Sequence, residues 1–511
     1  MSRLILLVLA SFRLVSSTKR NALVIIGDDA GLESPLYGND VCKTPNMEKL
    51  ARMGVTFDEA FTSVSSCSPS RSAIMTGLPQ HQNGMYGLHH TVHHFNSFDN
   101  VRSVSSLLNA SRVRTGIIGK KHVGPEYVYP YEFAYTEETE SLLQVGRNIT
   151  RIKNLVREFF QTQDDRPFFL YIGFHDPHRC GLMTPQYGTF CEKFGNGDPE
   201  MGLIPDWSPA KYDPNDVIVP YFVPDTPEAR ADIAAQYTTI SRMDQGIGLI
   251  IDELNRAGYL DSTLILFSSD NGIPFPSGRT NIYEPGLREP MIVSSPYHAT
   301  RNGQRSSAMT SLLDIVPTVL DWFDIPYPNY TIISEKDPPV RLTGKSLLPV
   351  LVQEPTSGYD DVYASHNLHE ITMYYPMRMY RDRRYKLIKN VNYKMPFPID
   401  QDFFVSPTFQ GLLNRTVANE STHWYKSLRD YYYRDEWELY DLVEDPHELQ
   451  NVVGDASRRD VVEDLKAKLL AWQSATADPW RCAQESVLEF QGIYPRSGVC
   501  LSMHNDLGGG D

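Results

Sequence analysis

Four short apolar runs, each closing on a cluster of polar and charged residues, constrain the fold of this chain more than any other feature. Residues 21–26 run into Gly27-Asp28-Asp29, residues 115–118 into Gly119-Lys120-Lys121-His122, residues 167–173 into the segment His175-Asp176-Pro177-His178, and residues 264–267 into Ser269-Asp270-Asn271-Gly272. Runs this short and this continuously apolar read as strands buried on both faces. Helical patterns lie among them, at residues 44–53 and at about residues 231–257. Strands alternating with helices predict an α/β fold: a large mixed, mostly parallel sheet sandwiched by helices. Ligands of such sheets gather beyond the carboxyl ends of the strands, which is where all four polar clusters fall.

A fifth segment joins them. In Cys67-Ser68-Pro69-Ser70-Arg71, followed by Ser72-Ala73-Ile74-Met75-Thr76-Gly77, Pro69 sits where a helix takes its first turn and Gly77 where one ends. Cys67 is thus expected just before a helix N-terminus. A thiol there faces unpaired N–H groups and the positive end of the helix dipole, which lowers its pKa and suits the place to an anion. The alternative is a buried or bridged cysteine that happens to precede a helix.

Asp28 and Asp29, with Asp270 and Asn271 far along the chain, offer oxygen donors only. That set suits a hard divalent cation such as Ca²⁺ better than zinc. Read singly, Asp29 is equally a helix cap and Asp270-Asn271-Gly272 equally a plain turn; their common place at strand ends favours the ion. Arg71, Lys120, His122, His178 and Arg279 bring positive charge to the same end. Such an array can hold a sulfate dianion or a sulfamate and offset charge that develops during transfer. The tract His89-His90-x-x-His93-His94 reads as a polar loop near the pocket entrance rather than as a metal site.

The 511 residues and 41% hydrophobic content allow one large core and a smaller one. Residues 1–17 read as a signal peptide, with Arg3 ahead of a short apolar run and Val15-Ser16-Ser17 suited to cleavage. Residues 18–375 are expected to form the catalytic domain. Past residue 375 the texture turns tyrosine-rich and basic, with a hairpin turning near Asp382, a strand at residues 437–442 and an amphipathic helix near residues 461–472. Residues 376–511 are therefore expected to form a smaller C-terminal α+β domain with an antiparallel sheet.

Sequons at Asn109, Asn148, Asn329, Asn414 and Asn419 agree with a secretory route. In an oxidising compartment Cys180 with Cys191, and Cys482 with Cys500, are the pairings of shortest loop, and Cys42 has no partner if Cys67 is converted. The net charge of −15 repels a polyanionic substrate, but the 14 histidines bring the sum to about −1 near pH 5. That is compatible with an acidic site of action, as it is with ordinary acidic solubility.

The spacing Cys-x-Pro-Ser-Arg followed by Thr76-Gly77 is the signature of sulfatases. The chain resembles the sulfatase family of the alkaline-phosphatase-like superfamily, most closely its branch that hydrolyses N-sulfoglucosamine, through residues 61–71, 77–88, 116–126, 175–181, 185–197, 270–281 and 394–409. The resemblance implies that Cys67 is oxidised to formylglycine by the formylglycine-generating enzyme. It implies that one Ca²⁺ is held by Asp28, Asp29, Asp270, Asn271 and the modified Cys67. Arg71, Lys120, His122, His178 and Arg279 then line the sulfate pocket. As a mechanism it implies a hydrated aldehyde that attacks sulfur, His178 as general acid to the departing amine, and His122 as the base for sulfate release. It further implies a lysosomal enzyme, a homodimer without nucleic-acid or membrane partners, acting on heparan sulfate oligosaccharides that end in N-sulfoglucosamine. An O-sulfatase of the same family, or a non-catalytic relative that binds sulfated glycans, is the alternative.

Overall fold

Strand β1 (Asn21–Asp28) is buried along its whole length and pairs in parallel with a strand on each side, so it forms the middle of a sheet. The protein is described by a computed structural model covering residues 20–181, 186–335 and 338–482, with the backbone of two further strands, Ser486–Glu489 and Val499–Ser502. The expected signal peptide lies outside the described residues. The other strands of the large sheet are β2 (Val55–Phe61), β3 (Arg114–Gly119), β4 (Phe133–Thr136), β5 (Phe168–Pro177), β6 (Thr263–Ser269), β7 (Met291–Ser294) and β8 (Gln304–Ser311). Their order is β4-β3-β5-β1-β6-β7-β2-β8, and β7 alone runs against the rest. The expected mixed, mostly parallel sheet is thus present.

The alternation of side chains along β1 divides the interior in two. Ala22, Val24 and Ile26 face a core shared with Phe169, Tyr171, Leu264, Leu266 and the helix Ile315–Trp322. Leu23 and Ile25 face the opposite core, with Leu170, Ile172, Ile265 and Phe267. The helices α1 (Pro45–Arg52), Ile149–Gln161 and Pro227–Arg256 cover that second side, with the short helix Leu142–Gly146 adding Val145. The sheet is therefore sandwiched, and its carboxyl edge is left for polar groups.

A second sheet, antiparallel, has the order β12-β11-β10-β9, built from β9 (Asp361–His366), β10 (Met377–Asp382), β11 (Tyr385–Asn390) and β12 (Trp437–Asp441). The β10–β11 hairpin turns just after Asp382, as expected. Met377, Met379 and Ile388 pack toward Phe61, Ile282 and Leu287 of the large unit, while Tyr380, Leu387 and Leu439 pack under the helix Arg459–Ala475. Strand β9 belongs to this sheet although it precedes residue 376, so the smaller unit starts earlier than the texture of the sequence suggests; β9 lacks the tyrosine-rich, basic character that marks β10 and β11.

Cys180 and Cys191 are bridged, and Cys42 and Cys67 are free and buried. Cys482 is a half-cystine, while the side chain of Cys500 lies outside the described residues. Among the described residues no helix is long and apolar enough to cross a membrane. Of the sequon asparagines, Asn329, Asn414 and Asn419 are exposed, while Asn109 and Asn148 are half-buried. Asn148 also caps its helix by accepting from the N–H of Arg151 at 3.1 Å.

Candidate active site

Helix α2 (Cys67–Thr76) begins at Cys67 itself, one residue earlier than the sequence suggests. Ser66 is extended, with φ −167° and ψ 135°, and its carbonyl accepts the N–H of Ser70 at 2.8 Å, so the first turn closes on Ser66. The helix ends at Gly77, whose φ of +70° supplies the left-handed cap. The expected low pKa of the Cys67 thiol is not found. Burial pushes it well up, and the nearby carboxylates of Asp28, Asp29 and Asp270 add to the rise against the pull of Lys120. Desolvation and three negative neighbours outweigh one helix end.

The carboxyl ends of β1 and β6 bring the oxygen donors together. Lys120 Nζ lies 2.8 and 2.6 Å from the two oxygens of Asp28, and Arg71 donates to Asp28 at 3.3 Å and to Asp270 at 2.8 Å. Asp270 Oδ1 accepts the N–H groups of Asp29 and Asn271 at 3.1 and 2.9 Å. The Asn271 amide donates to Asp29 at 2.7 Å, while its own carbonyl oxygen is buried with no hydrogen-bond partner. Ligand atoms of Asp28, Cys67 and Asp270 lie within 4.8 Å of one another, as do those of Asp29, Cys67 and His178.

This geometry fits a hard divalent cation, since it gathers buried carboxylate oxygens beside one, Asn271 Oδ1, that no protein donor satisfies. The carboxyl pKa values carry the same message. Burial raises Asp29 well above the usual range and, with Asp28 adding to it, lifts Asp270 to about 7 against the pull of Arg71. Against its burial, Asp28 is held low by neighbouring positive charge, led by Lys120 with Arg71. Asp29 and His122 both take left-handed backbone, with φ of 61° and 56°, a conformation that a non-glycine residue keeps only where its surroundings enforce it.

All five basic residues anticipated from the sequence converge here. Arg71, Lys120, His122 and Arg279 are at most 6% exposed. Arg279 donates to Asp29 through one nitrogen and reaches Asp400 at 2.9 Å and Asp402 through another. His178 Nδ1 is 2.7 Å from the carbonyl of Arg179, which turns Nε2 toward Asp29 at 3.7 Å and Asp402 at 3.9 Å. Burial, with Arg279 and Lys120, holds His178 well below the usual imidazole range despite Asp28. The abundant imidazolium expected at acid pH is therefore not a property of this site before an anion enters it.

Sequence reasoning left out several neighbours. His175 Nδ1 is 3.0 Å from Asp28 and its ring stacks on His178 at 4.9 Å; its place in the polar cluster at the carboxyl end of β5 was the available signal. Arg147 and Arg242 both bind the buried Asp176, and Arg147 also donates to the carbonyl of His178 at 2.9 Å, fixing that turn. His369 joins Ser66 and Asp400, at 2.9 Å to each. Asp400 and Asp402 carried no signal except their lying in one of the family-like stretches. Of the histidine tract, His90 faces His122 at 5.0 Å, and no potential metal group among the described residues includes the tract.

A family model described as sulfatase matches residues 20–325, and one described as N-sulphoglucosamine sulphohydrolase, C-terminal, matches residues 414–475. The N-sulphoglucosamine sulphohydrolase of Homo sapiens is 62% identical over 488 residues, which is 96% of each chain. An ulvan-active sulfatase of Formosa agariphila is 26% identical over 493 residues, covering 90% of this chain and 75% of that protein. A solved structure described as in complex with its substrate, D-glucosamine-2-N,6-O-disulfate, superposes with a TM-score of 0.62 at 20% identity, covering 90% of this chain and 98% of that one. Strand order, residue convergence and these likenesses agree: the chain belongs to the sulfatase family.

Proposed function

We propose that this protein is a sulfamidase that removes the N-linked sulfate from terminal N-sulfoglucosamine of heparan sulfate. The observation that supports a sulfamate rather than a sulfate ester is the 62% identity, along 96% of both chains, to a protein named for that reaction. On this reading Cys67 is converted to formylglycine before use, the ion is Ca²⁺, and the protein works in the lysosome after secretory passage, as a homodimer. Residues 18–375, apart from β9, then form the catalytic domain, and residues 376–511 with β9 the smaller one.

Asp28, Asp29, Asp270 and Asn271 would hold Ca²⁺, which supplies positive charge for activating the hydroxyl of residue 67 and for drawing in the sulfate oxygens. Lys120 and Arg279 offer fixed donors to the sulfate oxygens, and Arg71 holds Asp28 and Asp270 in register. Arg147 and the Arg179 carbonyl fix His178, so that its Nε2 points into the pocket. His178 is the candidate proton donor to the departing amine, once the negative charge of the substrate offsets the burial that keeps it neutral. His122, buried with its Nδ1 unpartnered, is placed to take a proton during sulfate release.

The test is direct. Purified protein is offered glucosamine N-sulfate and glucosamine 6-O-sulfate, and the peptide containing residue 67 is weighed by mass spectrometry. Turnover of the N-sulfate with an aldehyde at residue 67 is expected. Preference for the 6-O-sulfate would mark an O-sulfatase of the same family, and an intact thiol in protein that turns over would remove the aldehyde from the reading.

A further inference from the structure

Asp400 and Asp402 reach the catalytic pocket from outside the large sheet, and they are not equivalent. Asp400 is fully engaged: one oxygen takes Arg279 at 2.9 Å and His369 at 2.9 Å, the other the N–H of Asp402 at 3.3 Å. Asp402 gives one oxygen to Arg279, while its Oδ2 stands 3.9 Å from His178 Nε2. That separation is too long for a hydrogen bond and about right for both groups to flank a third atom. The same His178 nitrogen lies 3.7 Å from Asp29, and Arg279 bridges the two carboxyls. His178 thus lies close both to the proposed ion site and to a carboxyl group that has no direct part in binding sulfate, since a carboxylate repels sulfate oxygens.

Resting on the sulfamidase reading above, we propose that Asp402 is the specificity-determining residue that recognises nitrogen at the scissile bond. A sulfamate nitrogen carries a hydrogen, whereas the bridging oxygen of a sulfate ester carries none. An acceptor beside His178 is therefore satisfied by the first and left facing lone pairs by the second. When the S–N bond breaks, its electron pair stays on nitrogen and sulfur passes to residue 67. Nitrogen takes one proton to become the amine and a second to become the ammonium ion that prevails at acid pH. Asp402 then lies against a cation.

The surroundings agree with this role. Burial lifts Asp402 to about 7, with Asp400 adding to the rise and Arg279 opposing it, and a cationic nitrogen beside it favours the ionised carboxylate. Glu370 and Tyr187, half-buried, feel the same two carboxyls. The sugar side of the pocket is thus acidic where the sulfate side is basic.

The experiment uses the mature holoenzyme at pH 5, with wild type compared with Asp402→Asn. Turnover of N-sulfoglucosamine is measured, together with inhibition by inorganic sulfate, D-glucosamine and D-glucose. The variant is expected to lose on the order of 100-fold in kcat/KM and on the order of 10-fold in glucosamine inhibition, while sulfate and glucose inhibit as before. Weakening of sulfate and glucosamine alike, or unchanged glucosamine inhibition, overturns the proposal. Should the variant fail to fold, wild type still decides, because failure to bind glucosamine more tightly than glucose also overturns it. A wild type that does not cleave N-sulfoglucosamine defeats the sulfamidase reading instead.

Discussion

Arg71 shows how much one side chain can carry. It is fully buried, binds Asp28 and Asp270, and donates to the carbonyl of Lys120 at 3.0 Å. Removing one partner from such a network strands buried charge, so Arg71→Met should cost about 3–5 kcal/mol, read as a lowered midpoint in urea. Arg71→Lys keeps the charge but not the planar fork, and should fold yet bind the proposed Ca²⁺ about tenfold more weakly by calorimetry. Replacing Cys42 by alanine, far less connected, should cost about 1 kcal/mol and leave turnover intact. The residues legible from sequence were those following apolar runs or forming the Cys67 signature. Asp402 was not legible, because it meets Arg279 across 123 positions and no local pattern records that contact.

At the scale of elements, Gly77 both ends α2 and permits a close approach. A Cβ there would lie 2.7 Å from Leu342 Cδ2 and 3.0 Å from Val316 Cβ, on backbone with φ of +70°. Gly77→Ala should therefore destabilise by about 1–3 kcal/mol, seen in the melting temperature, and lower kcat by shifting the helix that carries Cys67. The sequence marked β1, β3, β5 and β6, the inner strands whose residues are continuously buried. It did not mark β4, half-exposed at one edge, or β8, polar and largely exposed over its first half at the other. Edge strands lack the two-sided burial that writes an apolar run. Strands β2 and β7 were missed as well, β7 being only four residues long.

Across the molecule several buried carboxyls tie stability to pH. Burial lifts Glu33 to about 7 against hydrogen bonds to its own N–H and that of Gly31, and lifts Asp244 and Asp314 to about 6. A carboxyl whose folded pKa lies above its unfolded value binds a proton more readily when folded. Its contribution is full below about pH 4.5 and is lost as pH rises toward 7. For Glu33 the loss is on the order of 3 kcal/mol. Glu33→Gln should accordingly flatten the fall in stability between pH 5 and pH 8, measured by urea unfolding at each pH, while leaving the value at pH 5 nearly unchanged.

Arg279 has one further consequence, for biosynthesis. It grips Asp29 from early in the chain and Asp400 and Asp402 from the last quarter. A nascent polypeptide halted near residue 390 would have its large sheet yet leave this guanidinium turned toward missing partners. Any catalytic signal from a ribosome-released product should therefore appear only after translation has passed these aspartates, which makes turnover a late reporter of completed assembly.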